Sequence, residues 1–389
     1  AIKNGGKNES AYQTGNTGPF ILTHFKDHDN KDITDPWIEK TNGGANSGVD
    51  GAEVVWADEK DLVTSPSIAH DASGDAYLDF EVKQADIKSG NAVVAVTKGG
   101  TVVWSWHLWF APKDALDKIK VTNHQNVNYY FTKEALGWKP TQWSGSTYSS
   151  ARTVKVKVEQ TVANNGTKQE AVINITQNPG SVKKGATTLY QFGRKDAFPG
   201  VEASKLAANS HFTENAGGNM SIENGIQHPD NYYAGVSSWE TNYCYYNLWS
   251  ADNTTTGFND NSVIKTVYDP CPVGFKMPAS NAFTGFTANG KNYGTMNVDG
   301  TDNWQTYKNN FGHNFWTNSS KTATIYFPAS GYRDNGYGWL RNVGNSGYYW
   351  SAVPYSRYDG CLLYSQSDRM VPLYSTSRAY GYAARPVSE

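Results

Sequence analysis

Three cysteines in 389 residues, Cys244, Cys271 and Cys361, are too few for a disulfide framework. None stands in a C-x-x-C pair, so at most one bridge and one free thiol remain, and stability must come from packing. No stretch approaches the ~20 consecutive apolar residues of a membrane span, so no spanning segment is expected. Lys and Arg number 34 against 36 Asp and Glu, without long runs of either sign, which removes the electrostatic footprint of a nucleic-acid or anionic-membrane binder. Helix signals are also scarce, Ala203 to Ala208 being the best. The opening Ala1-Ile2-Lys3-Asn4 lacks the charged-then-apolar layout of a signal peptide, so the chain reads as a mature, exported segment.

What is abundant points to β structure outside the cell. Aromatic residues reach 14%, Gly numbers 37 and charged residues fall to 18%, a balance typical of secreted proteins built from short strands and tight turns. The length suits two or three domains. Pro19 to Phe25 alternates well enough for an early strand; then Val54 to Trp56, Tyr77 to Val82 and Ala92 to Val96 follow at short spacing, as in a small antiparallel sandwich. Asn91 to Phe110 reads as one hairpin turning at Gly99-Gly100. Ala111-Pro112-Lys113-Asp114 breaks the pattern and places a boundary near residue 118, dividing an N-terminal β-sandwich (1–117) from a loop-rich α+β or mainly β part (118–389). Within the latter, Thr153 to Val158 faces Ala171 to Thr176 across a turn at Asn164-Asn165-Gly166, with Val154, Val156 and Val158 on one face and lysines on the other.

The densest aromatic stretch, Val102 to Phe110, alternates Val102, Trp104, Trp106, Leu108 and Phe110 on one face with Val103, Ser105, His107 and Trp109 on the other. The first face is expected to be core. Ser105 and His107 have no nominated carboxylate and are expected to be hydrogen-bonded beneath neighbouring structure rather than catalytic. Other chemistry is thin. His24 and His28 lie four apart without the glutamate of H-E-x-x-H. Asp27-His28-Asp29-Asn30-Lys31-Asp32 lacks the glycine and distal glutamate of an EF-hand and reads as a solvated loop. No G-x-S-x-G elbow or P-loop occurs. No catalytic residue is nominated.

Several blocks carry a family resemblance: Gly90 to Val96 with Trp104 to Trp109, Tyr190 to Gly200, Lys265 to Pro278, Phe327 to Arg333 with Gly347 to Ser351, and the tail Arg378 to Val387. In this order they resemble the fimbrillin-like, cell-adhesion proteins of Bacteroidales. The closing region is similar to the Fibrobacter succinogenes major paralogous domain, whose relatives include C-type-lectin-like and formylglycine-generating-enzyme-like folds. The resemblance implies a lectin-like head behind the sandwich and a cell-surface or fimbrial location. It implies an adhesion or pilus subunit, a minor or tip component, binding a host or microbial glycan or surface protein without catalysis. Alternatives are a structural pilus subunit joined to other subunits by strand donation, or a formylglycine-generating-enzyme-like oxidase. No cofactor is implied beyond calcium, which C-type-lectin-like loops sometimes hold; Asp299 and Asp302 are the calcium candidates, with an ordinary Asp-Gly turn as the alternative. Relatives often carry a cysteine after the closing segment, whereas Pro386-Val387-Ser388-Glu389 has none, so Cys271 reads as a buried thiol, with a bridge to Cys361 or Cys244 as the alternative.

Aromatic faces stack on the apolar faces of sugar rings, and the C-terminal region is rich in them. Those inside the family blocks, such as Tyr348-Tyr349-Trp350 and Tyr326-Phe327, are assigned to packing. Residues between the blocks are the ligand-binding candidates: Asp334, Asn335, Tyr337, Trp339, Tyr355, Arg357, Tyr358 and Asp359.

Overall fold

In the computed structural model, which describes residues 25–35, 37–144, 151–163, 165–177, 181–217, 220–235, 248–250, 255–299, 311–356 and 358–389, Gly99 and Gly100 take φ of 57° and 82°. Two consecutive positive φ values close a two-residue hairpin whose twist matches its strands. Gly90–Lys98 therefore pairs antiparallel with Thr101–Phe110, and Gly51–Ala57 adds on the far side to complete a three-stranded sheet. A hairpin of Thr64–His70 and Ala76–Glu81 lies across one face, where Ile68, Leu78 and Phe80 meet Ala92, Val94 and Trp106. The sheet and hairpin make the two layers of a small sandwich. Thr64–His70 is the strand that alternation missed, since Pro66 and two serines dilute its pattern.

The sheet's other face is the more deeply buried one, which corrects the expected orientation of the tryptophan strand. A register shift opposite Val96 and Thr97 places an extra residue in Thr101–Phe110, so Val102 and Val103 are both buried and the alternation breaks there. Beyond it Trp106, Leu108 and Phe110 are half-buried beneath the small hairpin, while Ser105, His107 and Trp109 face the main core.

That core extends well beyond residue 118. Trp56, Val93, Ala95 and Val102 share one cluster with Tyr190, Phe192, Trp249, Trp350 and Tyr382, and Trp56 donates its indole N–H to the Ala197 carbonyl at 3.1 Å. The boundary expected near 118 thus lies inside a single compact unit of residues 1–139 and 186–389, while residues 140–185 form a second unit. The strand Lys118–Thr122 itself pairs with Asn128–Thr132, which pairs through Phe131 with Val387 near the end of the chain. A seven-stranded sheet follows, in the order Leu340–Arg341, Tyr332–Arg333, Gly381–Ala383, Gly347–Pro354, Asp359–Gln366, Arg369–Ser377, with Leu189–Gln191 joining Gly381–Ala383. Strands hold 42% of the described residues and helices 7%, so the chain is mainly β. The best helix signal, Ala203 to Ala208, yields only the 3-10 turn Ala203–Lys205; a helix forms instead at Ile222–Gln227, where the Ser221 side chain accepts from the Asn224 N–H at 3.0 Å. Among the described residues no helix is long and apolar enough to cross a membrane.

Long loops bury backbone carbonyls that sheets do not satisfy, and buried arginines meet this need. Arg385, fully buried, donates from Nε to Thr132 O at 2.9 Å, from Nη1 to Tyr326 O at 3.0 Å and from Nη2 to Lys133 O, and its guanidinium lies 4.7 Å from the Phe327 ring centre. Arg194 similarly reaches Asn231 O, Gly225 O and His228 O while pairing with Asp196 at 2.9 Å. Lys265 joins Asp269, Cys271 O and Phe275 O within one loop. Cys271 and Cys361 are free and buried, and burial raises both thiol pKa values; Cys244 lies outside the described residues. Arg385→Met leaves these carbonyls buried and unpaired, so it is expected to cost about 3–5 kcal/mol in chemical denaturation. A loss below about 1 kcal/mol, the scale of an exposed ion pair, contradicts a stapling role.

Candidate functional site

The candidate residues fall in two turns of the seven-stranded sheet. Between Tyr332–Arg333 and Leu340–Arg341, the Asp334 N–H donates to Trp339 O at 2.9 Å and the Gly338 N–H to Asp334 O at 3.0 Å. The Asp334 carboxylate accepts from the N–H groups of Gly336 and Tyr337 at 3.0 and 2.6 Å and from Arg341 Nε at 3.2 Å. Gly338 takes φ +74°, and a Cβ there would stand 1.8 Å from Glu214 O, so backbone conformation and close approach both require glycine. Beneath the turn, fully buried Arg333 donates to Gly338 O at 2.8 Å, Pro199 O at 3.0 Å and Val201 O at 2.9 Å, and it meets Glu214 at 3.3 Å. The Asn335 carbonyl accepts from Gly235 N–H.

On this base stand Tyr337 and Trp339, 59% and 47% exposed, stacked with ring centres 4.7 Å apart and planes 21° apart. Arg341 lies 5.0 Å from the Trp339 ring. With one face of Tyr337 against Trp339, its exposure leaves the other face open to solvent. The result is a fixed aromatic platform with a carboxylate and a guanidinium beside it.

The second turn joins Gly347–Pro354 to Asp359–Gln366. Ser356 Oγ accepts from the N–H groups of Tyr358 and Asp359, each at 3.2 Å, and Tyr355 N–H donates to Asp359 O at 2.9 Å. Arg378 donates from Nη2 to Ser356 O at 2.8 Å. Tyr355 and Tyr358 are 43% and 48% exposed, and Tyr355 packs against Phe258. Arg357 lies outside the described residues. The strand Gly381–Ala383 stands between the two hairpins in sheet order. The candidates therefore occupy two platforms rather than one.

A row of tyrosines also runs over the sheet. Tyr348 stacks on Tyr382 at 4.8 Å and 9°, and on Tyr364 at 4.8 Å and 20°, while Tyr380 stacks on Tyr382 at 5.3 Å and 8°. Their faces are spent on one another, so they offer edges and hydroxyls, not stacking surfaces. Burial raises the phenol pKa of Tyr348, Tyr364, Tyr380 and Tyr382, which keeps these hydroxyls protonated.

Asp299 donates its N–H to Asn314 O at 2.8 Å, and Asp302 lies outside the described residues. Among the described residues no three His, Cys, Asp or Glu side chains are grouped to hold a metal. The acidic stretch from Asp27 is solvated only in part: Asp29, Asn30 and Lys31 are exposed, but Asp27 and His28 are buried, and the Asp27 carboxylate accepts from Asp29 N–H, Lys31 N–H, Asn42 Nδ2 and Asn46 Nδ2. Its lone pairs serve the chain fold. His24 lies outside the described residues.

Ser105 and His107 do find partners. Ser105 Oγ donates to Asp196 Oδ1 at 2.9 Å and accepts from Lys195 Nζ, which also pairs with Asp196. Burial opposes ionisation of Asp196, but Lys195 and Arg194 outweigh it and hold the carboxyl below its ordinary range. Lys195 donates to both Ser105 Oγ and Asp196, and burial lowers its pKa against the opposing pull of Asp196. The neighbouring cavity, lined by Arg194, Lys195, Met220 and Tyr268, is small, about 20 Å³. Sequence spacing could not nominate Asp196, 91 residues away. A cleft of about 310 Å³ was also unreadable, because its liners Glu53, Val102, His211, Gln227 and Asp230 come from separate segments.

His107 lies 3.0 Å from Asn91 Oδ1 through Nε2 and 2.9 Å from the Tyr190 hydroxyl through Nδ1. Asn91 Oδ1 only accepts, so Nε2 carries the proton and Nδ1 accepts from Tyr190. Burial pushes the His107 pKa down to about 3 from the ordinary 6.5.

The family described as a domain of unknown function, DUF8237, matches residues 296–387, a span that holds both aromatic turns and the tyrosine row. No curated protein matches the chain. No solved structure matches it.

The His107 pKa fixes a pH dependence. Because the folded value lies below the unfolded one, the unfolded chain binds the extra proton, so the stabilisation is full above pH 6.5 and is lost as pH falls toward 3. Denaturation between pH 6 and pH 4 is expected to show His107→Gln losing about 1.4 kcal/mol less per pH unit than the parent chain. Equal slopes in the two proteins contradict a buried neutral imidazole.

Proposed function

We propose that this protein is a cell-surface adhesin, a fimbrial or pilus-associated component, that binds a glycan through the Tyr337–Trp339 platform and does no chemistry on it. One observation carries the reading: two large aromatic side chains are held stacked and exposed on a turn whose backbone is fixed by Asp334, Gly338 and buried Arg333. Exposed apolar rings cost solvation, and ordering them in advance removes the entropy that a flexible loop would lose on binding. Tyr337 offers a stacking face for a pyranose, while Arg341 and Asp334 supply a donor and an acceptor for its hydroxyls. The family resemblance of the blocks around this turn agrees with an adhesive role.

Tyr355 and Tyr358 are exposed on the second turn and offer further aromatic contacts, which suits an extended or branched ligand with weak contacts at each point. The sequence resemblance also admits a protein ligand, and the same platform serves there, since aromatic residues anchor protein interfaces.

A glycan array probed with the full chain, with calcium and with a chelator, tests the reading. Binding is expected, and Tyr337→Ala with Trp339→Ala is expected to weaken it at least tenfold, the effect of losing a binding anchor worth about 2 kcal/mol. The melting temperature is expected to stay unchanged, because both rings are exposed. Undiminished glycan binding by the double variant removes the platform from the account, and no glycan binding by the parent chain in either condition removes the glycan.

A further inference from the structure

The second compact unit contains a two-stranded ribbon with an unusual division of its faces. Arg152–Glu159 pairs antiparallel with Glu170–Gln177 in unbroken register: Val154 opposite Ile175, Val156 opposite Ile173, Val158 opposite Ala171. These six side chains share one face, and the strands are exposed along their whole length, the five larger apolar residues of that face by 38% to 60%. The sequence had suggested a half-solvated sheet, but among the described residues no layer covers this one. The other face is satisfied within itself: Lys157 pairs with Glu170 and Glu159, Lys168 with Glu159, and Thr153 Oγ1 meets Thr176 Oγ1 at 3.2 Å. An isolated two-stranded ribbon is marginal in water, and a continuous β-branched strip on one side has a large incentive to be covered.

We infer that this face is a self-association surface, and that its occupant is the same face of a second copy of this chain, packed about a twofold axis with the two ribbons antiparallel. The strip carries no charge between its ends, so it has nothing with which to select a charged partner. At its base lie Arg152 and Gln177, and toward the tip Gln160 and Gln169, which gives the apolar core and polar rim of an interface. The strip tapers, with Ile175 and Val154 near the base and Ala171 and Val158 near the tip. An antiparallel twofold sets Ile175 over the second copy's Ala171 and Val154 over its Val158, with Ile173 and Val156 each meeting their own equivalents, so large meets small and the layers keep an even separation. The same arrangement places Arg152 near glutamine amides. A parallel arrangement sets Ala171 over Val158 and leaves the tip underpacked.

The six side chains offer on the order of 500 Å² of apolar surface per ribbon, so pairing buries about 1,000 Å² against the ~1,200–2,000 Å² of a stable complex. The dimer is therefore a reversible one, forming as concentration rises. This inference stands independently of glycan binding.

Sedimentation of the full chain from micromolar to millimolar concentration tests it. A monomer–dimer equilibrium is expected, lost in Ile173→Lys and kept in Val172→Lys, whose side chain is on the opposite face. A parent chain that stays monomeric throughout, or an Ile173→Lys chain that dimerises as the parent does, overturns the inference. Cross-linking decides the arrangement without relying on a lysine variant: under mild oxidation, a mixture of Val154→Cys and Val158→Cys chains is expected to form mixed disulfide dimers several-fold faster than either variant alone. Same-variant dimers forming as fast as mixed ones overturn it.

Discussion

A guanidinium buried against loop carbonyls is the interaction on which the C-terminal half of this structure depends. The chain has few helices and long connections, so many carbonyls lie in the interior without a ladder partner. Arg194, Arg333 and Arg385 each place a planar fork of donors among carbonyls from distant segments, and each guanidinium lies against an aromatic ring, of Phe198, Phe212 and Phe327 respectively. Arg378 donates to Ser356 O in the second turn and lies against Phe192. Taking a charge out of water is costly, and several charge-assisted hydrogen bonds together with the ring quadrupole offset it. Loops of this length then behave as rigid parts of the core.

Rigidity of the loops connects the interior to the surface. Arg333 holds Gly338 from below, Gly338 lets the turn close against Glu214, and Tyr337 and Trp339 are fixed above it. The N-terminal sheet is joined to the same core through indole and imidazole hydrogen bonds: Trp56 to Ala197 O, Trp109 to Trp138 O and His107 to Tyr190. Trp350 in turn donates to Tyr190 O, so Tyr190 links the tryptophan strand to the large sheet. These bonds join residues on either side of residue 118, in keeping with one compact unit that spans it.

The mainly-β class, the Gly99-Gly100 hairpin and the pairing of Val154 to Val158 with Ala171 to Ile175 were legible in the sequence, because turn chemistry and two-residue periodicity are local. The deeper side of the tryptophan strand was not, since a single bulge and the arrival of Tyr190 and Asp196 from far along the chain decide it. The charged residues Arg194, Asp269, Arg333 and Arg385 did not reveal their work in the sequence, because most of their partners are backbone carbonyls and amides that have no sequence signature, and Asp196 meets a Ser105 side chain from far along the chain. Tyr337 and Trp339 were nominated for the opposite reason, since they stand between the quoted blocks, and the structure leaves both rings exposed. That they stack on each other, while Tyr348, Tyr364 and Tyr382 spend their faces on neighbours, needed coordinates.

Backbone hydrogen exchange in Arg333→Met tests most directly whether a buried arginine holds the aromatic turn. The Gly338 and Asp334 amides, bonded within the turn, are expected to lose protection while those of Gly347–Pro354 and Asp359–Gln366 keep theirs. Unchanged protection at Asp334 and Gly338 contradicts the account.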